Sequence, residues 1–378
     1  MKVVARPAVA CAAATALATV LLAVPVLAQI VFQPVVTYPT PGSTFDAEMG
    51  DFTGDWIPDL ITATRNNRTL AVFPGKGDGT FGAAISKQMP NDSRALTAGD
   101  VNGDGKLDAV VVTFDANMLV YLGAGNGTFG DPAIYPTERV PQAVVLGDFS
   151  GDGKLDAAVG HGGSTNIRVY PNQGNGTFGA PAVFLVGPAF DLATADMNSD
   201  GKLDLIVGQD SSPTVVLGRG DGSFNPPIYK PIGYWVQSVA IADYNRDGRL
   251  DVVSACGASN KVDILLGNGD GSLGNPQAVP TPMSTVTARA GDLNQDGRQD
   301  IVVTSAGTAL TVLHGRGDGT FDPFQQITLF PADGMVLADL NHDLRLDVAS
   351  FDSNNAQIGV LLAVLPTSST TTPAARKK

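Results

Sequence analysis

The chain has 378 residues, with 44 glycines and 25 prolines, a composition that indicates many turns between short strands rather than long helices. Its formal net charge of −13 argues against nucleic acid as a partner, because binding to a phosphate backbone needs clustered Lys and Arg. Cys256 is the only cysteine beyond the first 28 residues, which excludes a disulfide framework.

Residues 1–28 are predicted to be a secretion signal. Lys2 and Arg6 provide a positive start, an apolar run covers residues 8–27, and Ala28 offers a small-residue cleavage site. The apolar run is also long enough for an uncleaved membrane anchor, and the sequence leaves that alternative open. Both alternatives predict a secreted or cell-surface protein. Cleavage of the signal would leave a mature chain with no membrane span, because no other apolar stretch is long enough to cross a bilayer.

An aspartate-rich loop of nine residues recurs seven times after this segment. Successive copies start 47 to 49 residues apart, a period that indicates a propeller, a solenoid or an array. The copies are DFTGDWIPD (51–59), DVNGDGKLD (100–108), DFSGDGKLD (148–156), DMNSDGKLD (196–204), DYNRDGRLD (243–251), DLNQDGRQD (292–300) and DLNHDLRLD (339–347).

A second motif follows the first six loops. Asp-Gly or Asn-Gly stands between two extended segments in each copy, which is the strongest short-range signal for a β-hairpin. The copies lie at 73–82, 121–130, 170–179, 216–225, 265–274 and 314–322. Short runs rich in Val, Ala and Leu separate the two motifs and have the length and composition of strands.

Each repeat therefore reads as four short strands, which is one blade of a propeller. We predict an all-β, seven-bladed β-propeller over residues 29–365. Seven loops but six hairpins leave the last repeat without a fourth strand, and the segment 30–40 resembles the strands that follow the hairpins. We expect this N-terminal strand to complete the last blade and close the ring. Residues 366–378 read as a disordered Ser/Thr/Pro-rich tail or linker.

The loop pattern D-x-[N/S/T]-x-D-G-x-x-D places oxygen side chains at positions 1, 3, 5 and 9. Pure oxygen ligation with this alternation favours Ca²⁺, as in the first half of an EF-hand loop. We predict up to seven Ca²⁺ ions. The predicted side-chain ligands are Asp51, Thr53, Asp55, Asp59, Asp100, Asn102, Asp104, Asp108, Asp148, Ser150, Asp152, Asp156, Asp196, Asn198, Asp200, Asp204, Asp243, Asn245, Asp247, Asp251, Asp292, Asn294, Asp296, Asp300, Asp339, Asn341, Asp343 and Asp347.

Charge arithmetic agrees with this prediction. Without Lys2 and Arg6, 22 basic residues face 37 acidic ones, and the loops hold 21 of these. Seven Ca²⁺ ions would bring the net charge from −15 to about −1. The alternative is that the loops are only polar Asx turns. Trp56 and Leu344 replace the turn glycine of the first and seventh loops, so we expect these two sites to bind most weakly.

With these loops and the "GDGTF" hairpins, the chain resembles the FG-GAP or VCBS repeat family, the propeller type of the integrin α-subunit headpiece. The resemblance covers roughly residues 30–365. It implies that the calcium loops join the first two strands of each blade on the lower face and are structural. In the second blade it implies the ligands Asp100, Asn102, Asp104 and Asp108.

A comparison between repeats points to a partner site. The residue six positions before each loop varies while its neighbours repeat, and by the resemblance it lies on the upper face near the channel mouth. We call these seven residues the variable ring: Phe45, Arg94, Gln142, Phe190, Gln237, Val286 and Asp333. Tyr234 and Trp235 stand beside it and could stack on a sugar, although core packing of one aromatic ring is an open alternative. The candidate partner-binding residues are Arg94, Gln142, Tyr234, Trp235 and Gln237.

The sequence contains no acid/base cluster outside the loops, so we expect a binding module and no enzyme. Its partner would be a glycan or a cell-surface or extracellular protein, and we expect a monomer. Two alternatives remain: a polysaccharide lyase or dehydratase on the same propeller, and a purely structural surface-display unit.

Overall fold

The computed structural model describes residues 30–257, 259–305, 309–329 and 331–364. The predicted signal and the tail lie outside the described residues. All regular structure in the described ranges is β-strand. Within these ranges no helix is long and apolar enough to cross a membrane.

Seven four-stranded antiparallel sheets form the blades of a propeller. Blade 1 contains β3 (Ser43–Gly50), β4 (Asp59–Arg65), β5 (Thr69–Phe73) and β6 (Ile85–Gln88). Blade 2 contains β7 (Ser93–Gly99), β8 (Asp108–Thr113), β9 (Asn117–Tyr121) and β10 (Ala133–Pro136). Blade 3 contains β11 (Pro141–Gly147), β12 (Asp156–His161), β13 (Asn166–Tyr170) and β14 (Ala182–Leu185).

The remaining blades repeat this order. Blade 4 contains β15 (Asp191–Ala195), β16 (Asp204–Gly208), β17 (Pro213–Val216) and β18 (Ile228–Tyr229). Blade 5 contains β19 (Val236–Ala242), β20 (Asp251–Cys256), β21 (Lys261–Leu265) and β22 (Gln277–Pro280). Blade 6 contains β23 (Thr285–Gly291), β24 (Asp300–Ser305), β25 (Ala309–Leu313) and β26 (Gln325–Thr328). Blade 7 contains β27 (Gly334–Ala338), β28 (Asp347–Phe351), β29 (Gln357–Leu361) and β2 (Val36–Pro39).

The N-terminal strand completes the last blade, as the sequence predicts. β2 pairs antiparallel with β29, with Val36 opposite Val360. A second antiparallel pairing, between β1 (Val31–Phe32) and β30 (Ala363–Val364), joins the same two chain segments. The ring therefore closes through hydrogen bonds between both ends of the propeller, and β2 pairs the outer edge of β29.

The core lies between blades. The first strands of neighbouring blades contact one another around the ring, so they form its inner wall. The second strands, such as β4 and β8, are buried almost completely on both faces and read as continuous apolar runs. Each apolar cluster joins two adjacent sheets; Ile61 of blade 1, for example, belongs to the same cluster as Val111 of blade 2.

Chain order assigns the two faces of the ring. The aspartate loops join the first and second strands, and the hairpins join the third and fourth, so both motifs lie on one face, which we call the lower face. The turns between second and third strands and the connections between blades lie on the opposite, upper face. The predicted metal loops and the variable ring are thus at opposite ends of the inner strands.

Candidate functional site

All seven aspartate loops have the same backbone conformation. The backbone at loop position 6 has positive φ in every copy, and the residue there is glycine in five of the seven. In the first and seventh copies it is Trp56 (φ 66°) and Leu344 (φ 68°), whose side chains are 89% and 83% exposed. Their N–H groups donate to Asp51 and Asp339 as the glycines do in the other loops. Trp56 and Leu344 therefore adopt positive φ although neither is glycine, which strains the backbone of a residue that has a Cβ atom.

The aspartate at position 9 is buried in every loop and has structural partners. In blade 2, Asp108 Oδ2 accepts from Val101 N at 2.9 Å and Asp108 Oδ1 accepts from Gly123 N at 2.8 Å. This carboxylate therefore joins its loop to the hairpin of the same blade. The equivalent carboxylates are Asp59, Asp156, Asp204, Asp251 and Asp300. The last blade has no hairpin, and its Asp347 accepts from Ala363 N of β30 instead.

Burial raises the pKa of most of these carboxyls, and neighbouring charges add to the effect. Asp108 has a raised pKa, first because it is buried and then because the Asp104 and Asp100 carboxylates repel its negative form. Burial raises the pKa of Asp347 to about 6. A bound divalent cation would relieve the repulsion between these carboxylates. The negative charge of the loop and its oxygen donors therefore both suit a hard cation.

The carboxylates at positions 1 and 5 are turned toward their own loop. Asp100 Oδ2 accepts from Gly105 N at 2.7 Å, and Asp104 Oδ1 accepts from Lys106 N at 3.0 Å. The Lys106 ammonium lies 3.7 Å from Asp104, and four other loops have the same pair at positions 7 and 5. Within the described ranges, no three His, Cys, Asp or Glu side chains are already grouped around a metal position. The predicted ligand set thus stays a prediction.

Hydrogen bonds between blades also run through the lower face. The glycine of the Asn-Gly or Asp-Gly turn in a hairpin donates to the carbonyl of position 2 in the loop of the preceding blade: Gly127 N to Phe52 O at 2.8 Å and Gly79 N to Leu340 O at 3.0 Å. The second of these bonds connects blade 1 to blade 7 across the closure. The repeated motifs are therefore needed for blade-to-blade contact, which accounts for their uniformity.

The upper face holds a cavity of about 470 Å³ at the centre of the ring, within the usual size of small-ligand sites. All seven residues of the variable ring line it. In blades 1, 2, 3, 5 and 6 the pairing register shifts at the variable-ring residue, so that this residue lies in a β-bulge. A bulge leaves one residue out of the ladder and redirects its side chain, here into the cavity.

In blades 1, 2, 3, 5 and 7 the variable-ring residue meets the residue six positions after the closing aspartate of the same blade, which we call its turn partner. Gln142 lies over Gly162 and Gln237 over Gly257, where a Cβ atom would come within 2.8 Å and 2.7 Å of the glutamine side chain. Asp333 Oδ2 accepts from Ser353 N at 3.1 Å. These pairs arise because the first and second strands are antiparallel neighbours.

Aromatic side chains border the cavity on the side of blades 4 and 5. Trp235 is 43% exposed, lines the cavity, and contacts Phe190 edge-on with ring centroids 5.3 Å apart. Tyr234 is exposed but does not line the cavity; the Lys261 ammonium lies 4.3 Å from its ring centroid. The structure thus separates the predicted pair, and Trp235 is the ring available at the cavity.

Charged residues on the inner wall were missed by the sequence reasoning. Asp46 and Asp191, one position below the variable ring, accept hydrogen bonds from Leu96 N and Val239 N of the next blade. Burial raises the pKa of Asp46 to about 6. Glu48, deeper on β3, has its pKa raised to about 7 by burial and then by the Asp46 charge. The comparison between repeats could have found them, because other blades have apolar or small residues at most of these positions.

A seven-bladed β-propeller with aspartate loops on one face and an unlike set of side chains on the other is the class of protein that these features define. The sequence profile of the FG-GAP-like repeat matches residues 51–111, 100–159, 148–207, 196–254, 243–303 and 292–350. The chain belongs to the FG-GAP-like repeat family. No curated protein matches its sequence.

Solved structures share the fold at low sequence identity. BBS1N, in a crystal structure with ARL6DN soaked with lead, has a TM-score of 0.64 and 11% identity, covering 89% of this chain and 98% of that one. An Agrocybe aegerita lectin that recognises non-reducing terminal N-acetylglucosamine has a TM-score of 0.58 and 19% identity, covering 87% and 97%. Chaetomium thermophilum Raptor has a TM-score of 0.61 and 13% identity, covering 89% of this chain and 29% of Raptor.

Proposed function

We propose that this protein is an exported, calcium-loaded propeller that binds a glycan in its upper cavity and does no chemistry there. The observation that carries the proposal is the contrast within one chain. The lower face carries seven copies of one loop, whereas the seven variable-ring residues that line the cavity are of five types, and five of these residues lie in β-bulges. Side chains that vary between repeats are not needed for the common fold, so they are available to bind a ligand.

The cavity has the chemistry of a sugar site. Trp235 presents an exposed ring, while Gln142 and Gln237 offer amide groups that both donate and accept hydrogen bonds. Aromatic faces stack on the apolar faces of sugar rings, and a few polar groups fix their orientation. The N-acetylglucosamine-binding lectin of similar fold supports a glycan over other ligands.

Calcium has a structural part in this proposal. The side chains at positions 1, 3, 5 and 9 of each loop would hold the ion, as listed for the seven copies above. The ion would supply positive charge between carboxylates that otherwise repel one another. Because the loops lie on the face opposite the cavity, calcium would stabilise the ring rather than contact the glycan.

A glycan array tests this proposal, with the protein probed in calcium and again in chelator. We expect binding to one sugar class in calcium, and Trp235→Ala should weaken it at least tenfold while Tyr234→Ala changes it little. Thermal unfolding of each variant confirms that the fold is kept. A blank array with folded protein would contradict the proposal and favour a protein partner, as in the complex that contains BBS1N.

Catalysis in the same cavity is the second candidate, and the inner-wall carboxyls favour it. Asp46 lines the cavity, and burial raises its pKa to about 6, which suits a general base near neutral pH. A polysaccharide lyase would release unsaturated sugars that absorb ultraviolet light. Product formation from acidic polysaccharides that is abolished by Asp46→Asn would support this candidate; absence of product with bound polysaccharide would support pure binding.

A further inference from the structure

Two arginines and two phenylalanines form a cluster at the edge of the cavity, which we call the Arg–Phe cluster: Arg65, Arg94, Phe45 and Phe114. Phe45 and Arg94 are variable-ring residues, and Arg65 and Phe114 are their turn partners. Blade 1 therefore has Phe at the bulge and Arg at the turn, and blade 2 has the reverse. The cluster spans two adjacent blades.

The two rings and the two cations are in mutual contact. Phe45 and Phe114 meet edge-on, with centroids 5.9 Å apart. The Arg65 guanidinium carbon lies 4.7 Å from the Phe114 centroid, and that of Arg94 lies 5.2 Å from the same centroid. Phe114 is 38% exposed, so the cluster opens to solvent. Cation–π contacts hold both guanidinium groups at one place.

Neither arginine is neutralised by the protein. Within the described part of the chain, no carboxylate lies within ion-pair distance of Arg65 or Arg94, whereas nearby Arg68 pairs with Asp92 at 3.2 Å. Arg94 instead donates from Nε to the neutral Gln142 Oε1 at 2.6 Å. Burial lowers the pKa of Arg94, and the positive charge of Arg65 lowers it further because the two cations repel each other.

The negatively charged side chains of the cavity have a different environment from that of the two arginines. Asp46 and Asp333, on the same wall, are engaged by protein donors: Ala47 N and Leu96 N for Asp46, and Ser353 N for Asp333. A ligand with several negative charges on each sugar ring would be repelled by this part of the wall. A ligand with one carboxylate and several hydroxyl groups on each ring would suit it, because carboxylates accept hydrogen bonds from hydroxyls.

We infer that the cavity selects a glycan containing a uronic acid, whose carboxylate lies between Arg65 and Arg94. Hydroxyl groups of the glycan would face Asp46 and Asp333, and one of its sugar rings would lie against Trp235. This inference rests on the proposed glycan-binding function and narrows it. Planar guanidinium groups match a planar carboxylate better than they match any neutral sugar group.

Isothermal titration with matched sugars tests the inference on the full chain in calcium. The probes are trigalacturonate, its fully methyl-esterified form, and a heavily sulfated oligosaccharide of similar length. We expect trigalacturonate to bind at least tenfold more tightly than its ester, with an affinity that falls as salt rises. The sulfated probe should bind more weakly than the uronate. Equal affinities for the acid and the ester would overturn the inference.

Amino-acid substitutions test whether the arginines act on binding through their charge or through their packing. Arg65→Gln and Arg94→Gln should each weaken trigalacturonate binding about tenfold and leave ester binding unchanged, and Arg68→Gln is the matched control that should change neither. An equal loss for both sugars would show that the arginines only shape the cavity, and would overturn the inference. Binding of neutral glycans alone would reject the uronate but keep the proposed function; no binding to any glycan would reject both.

Discussion

The lower and upper faces of this propeller are built from opposite ends of the same inner strands, but the lower face is uniform from blade to blade and the upper face is not. On the lower face, seven copies of one loop make the same internal hydrogen bonds, even where Trp56 and Leu344 replace glycine. On the upper face, no two adjacent blades place the same residue in the variable ring. The repeated face holds the blades together, and the varied face is left free for recognition.

The difference teaches where a substitution should matter. A change on the lower face breaks bonds within and between blades, so it should act on stability. A change at the variable ring removes a bulged side chain that the ladder does not use, so it should act on binding. The following predictions test this division, from the largest expected effect to the smallest.

Removal of calcium should have the largest effect. If the loops hold Ca²⁺, a chelator should lower the melting temperature by about ten degrees or more, because an ion that binds only the folded state stabilises it by mass action. Differential scanning fluorimetry with chelator, and again after added calcium, measures this. Magnesium serves as the control ion. An unchanged melting temperature would leave the loops as simple Asx turns.

Asp108→Ala should cost about 3 kcal/mol of unfolding free energy, because it leaves the buried Val101 and Gly123 N–H groups without their acceptor. Urea unfolding measures the loss. Asp131→Ala is the matched control: Asp131 is exposed and its ion-pair partner among the described residues is Lys87, so we expect no measurable change. Similar losses in the two variants would show that the loop carboxylate has no special structural part.

Glu48 should make stability fall as pH rises. A raised folded-state pKa means that its stabilising contribution is present below about pH 4.5, the ordinary value, and is lost as pH rises through about 7. Glu48→Gln should therefore gain roughly 3 kcal/mol at pH 8 relative to the native chain and nothing at pH 4. Urea unfolding in constant calcium across this range measures the difference. A gain of the same size at both pH values would contradict the shift.

The smallest effect concerns the turn residue of the loops. Leu344→Gly and Trp56→Gly should each gain about 1 kcal/mol, since glycine adopts positive φ without strain. The reverse change, Gly105→Ala, should lose a similar amount, although its added Cβ would meet no atom within 4 Å. Gly130→Ala is the control, because Gly130 has room and no positive φ. Calcium titration of Leu344→Gly would show whether the seventh site also tightens.

The sequence was sufficient for the architecture because the architecture is periodic. Seven aspartate loops at a spacing of 47 to 49 residues specify seven blades, and the mismatch with six hairpins specifies closure by residues 30–40. Pairing of β2 with β29 confirms this. The variable ring was also found from the sequence, since departure from a repeat is visible without coordinates.

The candidate site was only half predicted. Arg94, Gln142, Trp235 and Gln237 do line the cavity, whereas Tyr234 lies beside it against Lys261. Phe114 and Arg65 were missed although their position varies among repeats just as the ring does. Their importance depends on which residue they face across the bulge, and a register shift of one residue leaves no mark in the sequence.

What the sequence determined by itself is local and repeated: the turns that need positive φ, the apolar strands, and the number of blades, because each follows from residue chemistry within one repeat. What only the tertiary structure decided is which unlike residues meet. The buried position-9 aspartates became bridges between loop and hairpin, and two arginines from adjacent blades came together without a carboxylate. Contacts between blades depend on distances across the ring, which no spacing along the chain records.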